Sequence, residues 1–94
     1  MVLAAEVVEL PRGAKLNART SDISWTGCYI DTLNPTPQGG EIRLRITHGT
    51  EIFVTLARVV YVSYGLGMGI VFANMEDGEL AKLDRWFSET GLEF

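Results

Sequence analysis

The sequence has few of the residues that build disulfides, metal clusters and membrane spans. Cys28 is the only cysteine among 94 residues, so the chain cannot form an internal disulfide or a cysteine metal cluster. No apolar run approaches the roughly 18 residues of a bilayer-spanning helix. The first residues lack the basic segment of a secretory signal, and Glu6 and Glu9 interrupt them. We therefore expect a cytoplasmic protein that is not inserted in a membrane.

Positive charge is also scarce, and the formal net charge is −4. Residues 1–75 hold six acids and six bases, so the excess lies in residues 76–94, where six acids meet only Lys82 and Arg85. An acidic tail and the lack of a basic run disfavour DNA or RNA binding, because clustered Lys and Arg recognise phosphate backbones. The sequence also has no paired acid and base, nucleophile constellation or metal cluster. It therefore predicts a protein that is not an enzyme and needs no cofactor.

The chain does contain short β-prone runs bounded by turn residues. Glu41 to Thr47 is the clearest, because apolar and polar residues alternate as in a half-buried antiparallel strand. The longest run, Glu51 to Tyr64, is apolar on both alternations, so we expect it to curve and to hold a β-bulge. Six such runs favour a small antiparallel barrel. The predicted strands cover residues 2–10, 15–24, 28–32, 41–47, 51–64 and 68–72.

One helix is predicted after the strands. Asp77 and Gly78 offer an N-terminal cap, and Gly91 stands where a helix end is expected. About ten helical residues with one apolar face are marginal alone, so the helix must dock on the sheet and cover one end of the barrel. The predicted apolar face comprises Leu80, Leu83, Trp86 and Phe87.

These elements predict a single domain over residues 1–94. The barrel occupies about residues 2–73 and the helix about residues 78–89. The fold class is all-β with one helix.

The connection between the second and third predicted strands carries a distinctive pattern. Asp22 is followed by Ser24 two residues later and by Gly27 three residues after that. With the order of elements, this pattern resembles a PilZ domain, the bacterial module that binds cyclic di-GMP. The runs 28–30, 57–60 and 67–72 support the resemblance, which covers nearly the whole chain. It implies a six-stranded antiparallel PilZ-like β-barrel with a C-terminal α-helix, and cyclic di-GMP as the candidate ligand.

The resemblance also implies roles for these residues. Asp22 would accept a hydrogen bond from the N–H edge of a guanine. Ser24 would lie near a phosphate, and the Gly27 backbone would approach the ligand. An alternative interpretation needs no ligand: Asp22 and Ser24 accept backbone N–H groups in the turn, and Gly27 supplies a positive φ. Trp25 is a stacking surface for a base, an exposed partner contact or a cover for the barrel end.

A second signature of the family is missing here. PilZ domains carry two arginines, separated by three residues, immediately before the first strand. No arginine precedes Arg12, and no two arginines stand four positions apart. A guanidinium that donates two hydrogen bonds to a guanine contributes about 1–3 kcal/mol to the binding free energy. Losing two such contacts weakens nucleotide binding about 30-fold to 10⁴-fold.

We therefore expect a degenerate PilZ adaptor that works through a protein partner and has weak or no direct nucleotide binding. The resemblance implies motility, attachment or exopolysaccharide control as its setting. The alternative is a cyclic di-GMP receptor domain whose arginine segment lies upstream of this chain or comes from a partner. A small-barrel nucleic-acid binder is a third reading, which the acidic tail disfavours.

Overall fold

The structure is a computed structural model that describes residues 2–90. Six strands and one helix account for most of these residues. All neighbouring strands are antiparallel, and they close into a barrel in the order β1-β2-β3-β6-β5-β4. The predicted six-stranded barrel with a C-terminal helix is confirmed. The strands are β1 (Leu3–Glu9), β2 (Lys15–Ile23), β3 (Gly27–Asp31), β4 (Glu41–His48), β5 (Glu51–Ser63) and β6 (Gly67–Ala73), and the helix is α1 (Asp77–Thr90).

Strict alternation in β4 decides which face of the barrel wall turns inward. Ile42, Leu44 and Ile46 are fully buried, while Arg43 and Arg45 between them are exposed. A pleated strand points successive side chains to opposite faces, so this pattern fixes the register of β4 between β1 and β5. Burial of the apolar face is the main force that closes the barrel.

The long strand β5 belongs to both halves of the barrel. It pairs with β4 from Glu51 to Arg58 and with β6 from Leu56 to Ser63. The register with β6 shifts between Val59 and Tyr61. This irregularity is the β-bulge expected from apolar residues on both alternations, and it leaves Val60 and Tyr61 both exposed on the outer wall.

Helix α1 covers one end of the barrel with its apolar face. Leu83, Trp86 and Phe87 are buried and belong to the barrel core, whereas Leu80 is 39% exposed and lies at the margin of that face. Truncating a fully buried aromatic side chain such as Trp86 costs about 3–5 kcal/mol. The helix extends one residue beyond the predicted bounds at each end. The predicted helix end at Gly91 lies outside the described residues.

The helix also covers an open edge of β5. Strand β6 stops at Ala73, opposite Leu56, so the earlier residues of β5 lack a strand on that side. The Glu79 carboxylate accepts a hydrogen bond from the Val54 amide at 2.8 Å. The Lys82 ammonium donates a hydrogen bond to the Ile52 carbonyl at 2.7 Å. Glu79 and Lys82 pair with each other at 3.0 Å. Together they hydrogen-bond backbone N–H and C=O groups of this edge that would otherwise be free to pair with another strand.

Residues 2–90 include no helix with the length and apolar character needed to cross a bilayer.

Candidate functional site

The turn between β2 and β3 is held by Ser24. Its hydroxyl oxygen accepts hydrogen bonds from the backbone amides of Thr26 and Gly27, each at 3.3 Å. The Ser24 amide donates a hydrogen bond to the Gly27 carbonyl at 2.9 Å. The Thr26 carbonyl accepts from the amide of Phe72 in β6 at 2.8 Å. Ser24 therefore has a structural role in the turn that needs no ligand, as the ligand-free interpretation proposed.

Asp22 lies just before this turn, on the outer wall. A register shift between Thr20 and Asp22 precedes it, and its side chain is exposed. Within residues 2–90 the Asp22 carboxylate accepts no hydrogen bond and forms no ion pair. The prediction that it accepts a backbone N–H group in the turn is therefore wrong: its place in strand β2 leaves the carboxylate open to solvent.

Gly27 is needed for a reason that the sequence did not reveal. Its φ lies outside the left-handed region, so the predicted positive φ is wrong. A Cβ added at Gly27 would overlap the carbonyl oxygen of Ile70 in β6. Because that obstacle is backbone, a side chain at Gly27 would force β3 and β6 apart. The close approach at this glycine is to a neighbouring strand.

Trp25 contacts helix α1. Its ring meets Phe87 edge to face, with centroids 4.7 Å apart, and its Nε1 donates to the carboxylate of Asp84. The residue is 36% exposed. Trp25 therefore covers the junction between the barrel end and the helix.

An open groove lies on the outer wall beside this turn, with a volume of about 490 Å³. Its centre is one row of register partners across four strands: Asp22 faces Tyr29, Tyr29 faces Gly69, and Gly69 faces Tyr61. The structure thus places Asp22, Ser24 and Gly27 together in the groove lining. Trp25 is not among the lining residues.

The two tyrosines were missed from the sequence, and glycines explain their positions. A Cβ added at Gly67 would overlap the carbonyl oxygen of Ile30 and also meet the ring of Tyr29, and one added at Gly69 would overlap the ring of Tyr61. The two rings lie with centroids 6.1 Å apart and planes inclined at 36°. Glycine therefore gives each phenol ring room to lie against the barrel wall. The signal in the sequence for this arrangement is the Gly67-Met68-Gly69 spacing on β6.

The charge of the groove is negative. Among the described residues that line it, Asp22 is the one with a charged side chain. Two cations lie on adjoining strand positions, and each has an acid beside it: Arg19 is the register partner of Asp31, and Arg58 lies 3.5 Å from Glu41. No arginine is among the described residues that line the groove.

Neither nucleophilic nor metal chemistry is supported at this site. Cys28 lies on the core side of β3, and burial raises the pKa of its thiol to about 12, so the reactive thiolate is suppressed. Within residues 2–90 no group of three or more His, Cys, Asp or Glu side chains is arranged to hold a metal ion.

Comparison with known proteins gives a consistent family and fold. The family model described as PilZ domain matches residues 3–89. A solved structure of the PilZ domain of CeSA, from a cellulose-synthesising bacterium, superposes with a TM-score of 0.75 over 98% of this chain and 95% of that chain. The two sequences are 16% identical, so this likeness concerns the fold. A comparison with curated protein sequences gave no match.

Proposed function

The chain belongs to the PilZ domain family, and we propose that it is a regulatory adaptor in bacterial cyclic di-GMP signalling. PilZ domains are regulatory, non-catalytic domains, and the family binds cyclic di-GMP. In this proposal the chain acts through contacts with a protein partner and has weak or no affinity of its own for the nucleotide. The cytoplasmic location and a setting in motility, attachment or exopolysaccharide control remain predictions.

One observation carries the proposal: the charged side chain in the groove lining is an acid. Cyclic di-GMP carries two phosphates, and anions are recognised by Arg, Lys or exposed backbone amides. In the groove, Asp22 repels a phosphate that comes close, by about 1 kcal/mol at 4 Å in water and by more as solvent is excluded. Of the two cations next to the groove, Arg58 pairs with Glu41 at 3.5 Å, and Arg19 is the register partner of Asp31.

Exposed apolar side chains support the part of the proposal that concerns protein contacts. Val60, Tyr61 and Val71 border the groove and are 41%, 50% and 43% exposed. The connection from β5 to β6 adds Tyr64 and Leu66, which are more exposed still. Tyrosine is enriched at protein interfaces, and contiguous exposed apolar surface marks interaction sites. These residues extend from the groove toward the barrel end away from α1.

A second candidate is a cyclic di-GMP receptor whose arginine segment comes from a partner or from residues upstream of this chain. The accessible carboxylate of Asp22 favours it, because that group is free to accept from a guanine edge. In this case the groove supplies one half of a nucleotide site.

Calorimetric titration of the 94-residue protein with cyclic di-GMP tests the proposal. We expect no saturable binding in the low-micromolar range. Submicromolar to low-micromolar binding would overturn the adaptor function and favour the receptor. In that event Asp22→Ala should weaken the binding if Asp22 contacts the guanine. Glu6→Ala is the matched control, because Glu6 is an acid on β1 that does not line the groove.

A further inference from the structure

We propose that the groove binds an arginine side chain that a protein partner presents within a short apolar segment. The inference rests on the proposed adaptor function and specifies the chemistry of the partner. Three kinds of group in the groove support the inference. They are the carboxylate of Asp22, the phenol rings of Tyr29 and Tyr61, and the aliphatic side chains of Val60 and Val71.

The register aligns the carboxylate with both rings. Asp22, Tyr29 and Tyr61 occupy one row on strands β2, β3 and β5, with Gly69 of β6 between the two tyrosines. Neighbouring strands lie about 4.8 Å apart. The backbones of the two tyrosines are therefore about 10 Å apart, and Asp22 lies about 5 Å beyond Tyr29. A side chain extended along this row toward β2 passes the ring of Tyr61, which lies over Gly69, and then Tyr29 before it meets the carboxylate.

The free carboxylate requires a cation from the occupant. A partner that covers the groove removes Asp22 from water, and burying an unpaired carboxylate is strongly unfavourable. Within residues 2–90 no side chain forms an ion pair with Asp22, so the occupant must supply the positive charge. A phosphate or an acidic segment would bring a second negative charge to the same place.

Arginine fits this row better than lysine. The planar guanidinium donates two parallel hydrogen bonds to one carboxylate and also stacks on aromatic faces. Tyr29 and Tyr61 occupy the same row as Asp22, their ring centroids lie 6.1 Å apart, and both residues line the groove. A lysine ammonium is a compact, strongly hydrated charge and matches the carboxylate without matching the rings.

The size and the walls of the groove indicate apolar residues beside the arginine. A volume of about 490 Å³ lies within the range of pockets that hold a ligand of several side chains' size. Val60 and Val71 form the wall next to the tyrosines and are each about two-fifths exposed. Aliphatic residues that flank the arginine of the partner remove this apolar surface from water.

Titration of the ¹⁵N-labelled protein with short peptides, followed by NMR, tests the inference. The probe is an end-capped pentapeptide with a central arginine, flanked on each side by valine and then serine. A matched peptide has citrulline in place of arginine, which keeps the shape and removes the charge. We expect amide shifts at Asp22, Tyr29 and Tyr61, with the citrulline peptide about tenfold weaker, because a charged hydrogen-bonded pair is lost.

Two variants test the assignment of individual groups. D22N should weaken the arginine peptide about tenfold and abolish the preference over citrulline. Y61L keeps an apolar side chain but removes a ring, and should weaken the arginine peptide about two- to fivefold. E6Q is the control, because it makes the same charge change on β1 outside the groove lining. Its affinity for the arginine peptide should equal that of the unmodified protein.

Several results would overturn the inference. These are equal affinities for the arginine and citrulline peptides, shifts that map outside the groove, or no shift at about 10 mM peptide. The calorimetry with cyclic di-GMP separates this failure from failure of the proposed function. Tight nucleotide binding overturns the adaptor function, whereas the absence of both nucleotide binding and peptide discrimination overturns the arginine assignment alone.

Discussion

The phenol ring of Tyr61 lies across the backbone of Gly69, its register partner on the neighbouring strand. A Cβ at Gly69 would overlap three carbon atoms of that ring. The ring is the movable partner, since Tyr61 is half exposed, and the glycine therefore sets the shape of the groove floor.

The Gly69→Ala substitution should destabilise the protein by about 1 kcal/mol, at the low end of overpacking costs, because the added methyl group displaces the half-exposed ring of Tyr61. The measurement is urea unfolding at equilibrium. In a Tyr61→Ala background the same substitution should cost clearly less, since the obstructing ring is gone. Gly78→Ala is the control: no atom lies near its added Cβ, and in the first turn of α1 alanine should leave stability unchanged or raise it by up to about 1 kcal/mol. An equal cost of Gly69→Ala in both backgrounds would show that Tyr61 does not occupy this position.

The Ser24→Ala substitution should destabilise the protein by about 1 kcal/mol without any ligand, because the amides of Thr26 and Gly27 lose their shared acceptor. Thermal unfolding of the two proteins in the same buffer checks this. Ser88→Ala, at an exposed position of α1, should change stability by less than about 0.5 kcal/mol. A Ser24→Ala protein with unchanged stability would leave ligand binding as the remaining reason for this serine.

Acid should weaken the attachment of the helix through Glu51. Hydrogen bonding from Arg85 lowers the pKa of the Glu51 carboxyl below its ordinary value of 4.5, and the Trp86 indole also donates to it. A lowered folded-state pKa means that the stabilisation is complete above pH 4.5 and is lost as the pH falls through the folded-state value. Glu51→Gln should therefore be less stable than the unmodified protein at pH 7, and the difference should shrink at pH 3.

Denaturant midpoints at the two pH values measure this effect. Arg85→Gln is the companion variant, because it removes the first cause of the pKa shift and should reduce the acid-dependent loss to a similar extent. A Glu51→Gln difference of the same size at both pH values would contradict the assignment.

The covered edge of β5 should be visible in amide exchange. In Glu79→Ala the Val54 amide loses its acceptor at 2.8 Å, and it should exchange with solvent faster than in the unmodified protein. Glu79→Gln retains an acceptor oxygen and should retain part of the protection. Amides of β4, which is paired on both sides, provide the internal reference. Unchanged exchange at Val54 in Glu79→Ala would mean that another group protects this amide.

The barrel was predictable because its signal is local. Alternation in the strands and the short apolar face of α1 each depend on neighbouring residues, so six strands and a docked helix followed from the sequence. The β-bulge in β5 was also expected, from the apolar residues on both alternations. Bounds differed by one residue at most strand ends, where pairing rather than side-chain type decides the end.

The groove was not predictable because its residues meet only through the strand order. Tyr29 and Tyr61 are 32 positions apart and lie on strands that flank β6, and nothing in either local pattern reveals that Gly69 separates them. The need for Gly27 was misjudged for the same reason, since the obstructing carbonyl belongs to Ile70 on β6. Asp22 was placed correctly beside the turn, but its freedom from the turn depends on the register shift that precedes it.

Both tryptophans of the chain lie where helix and barrel meet. Trp86 is fully buried, and Trp25 packs on Phe87 of the same helix. Intrinsic tryptophan emission therefore reports on a single event, separation of the helix from the barrel end.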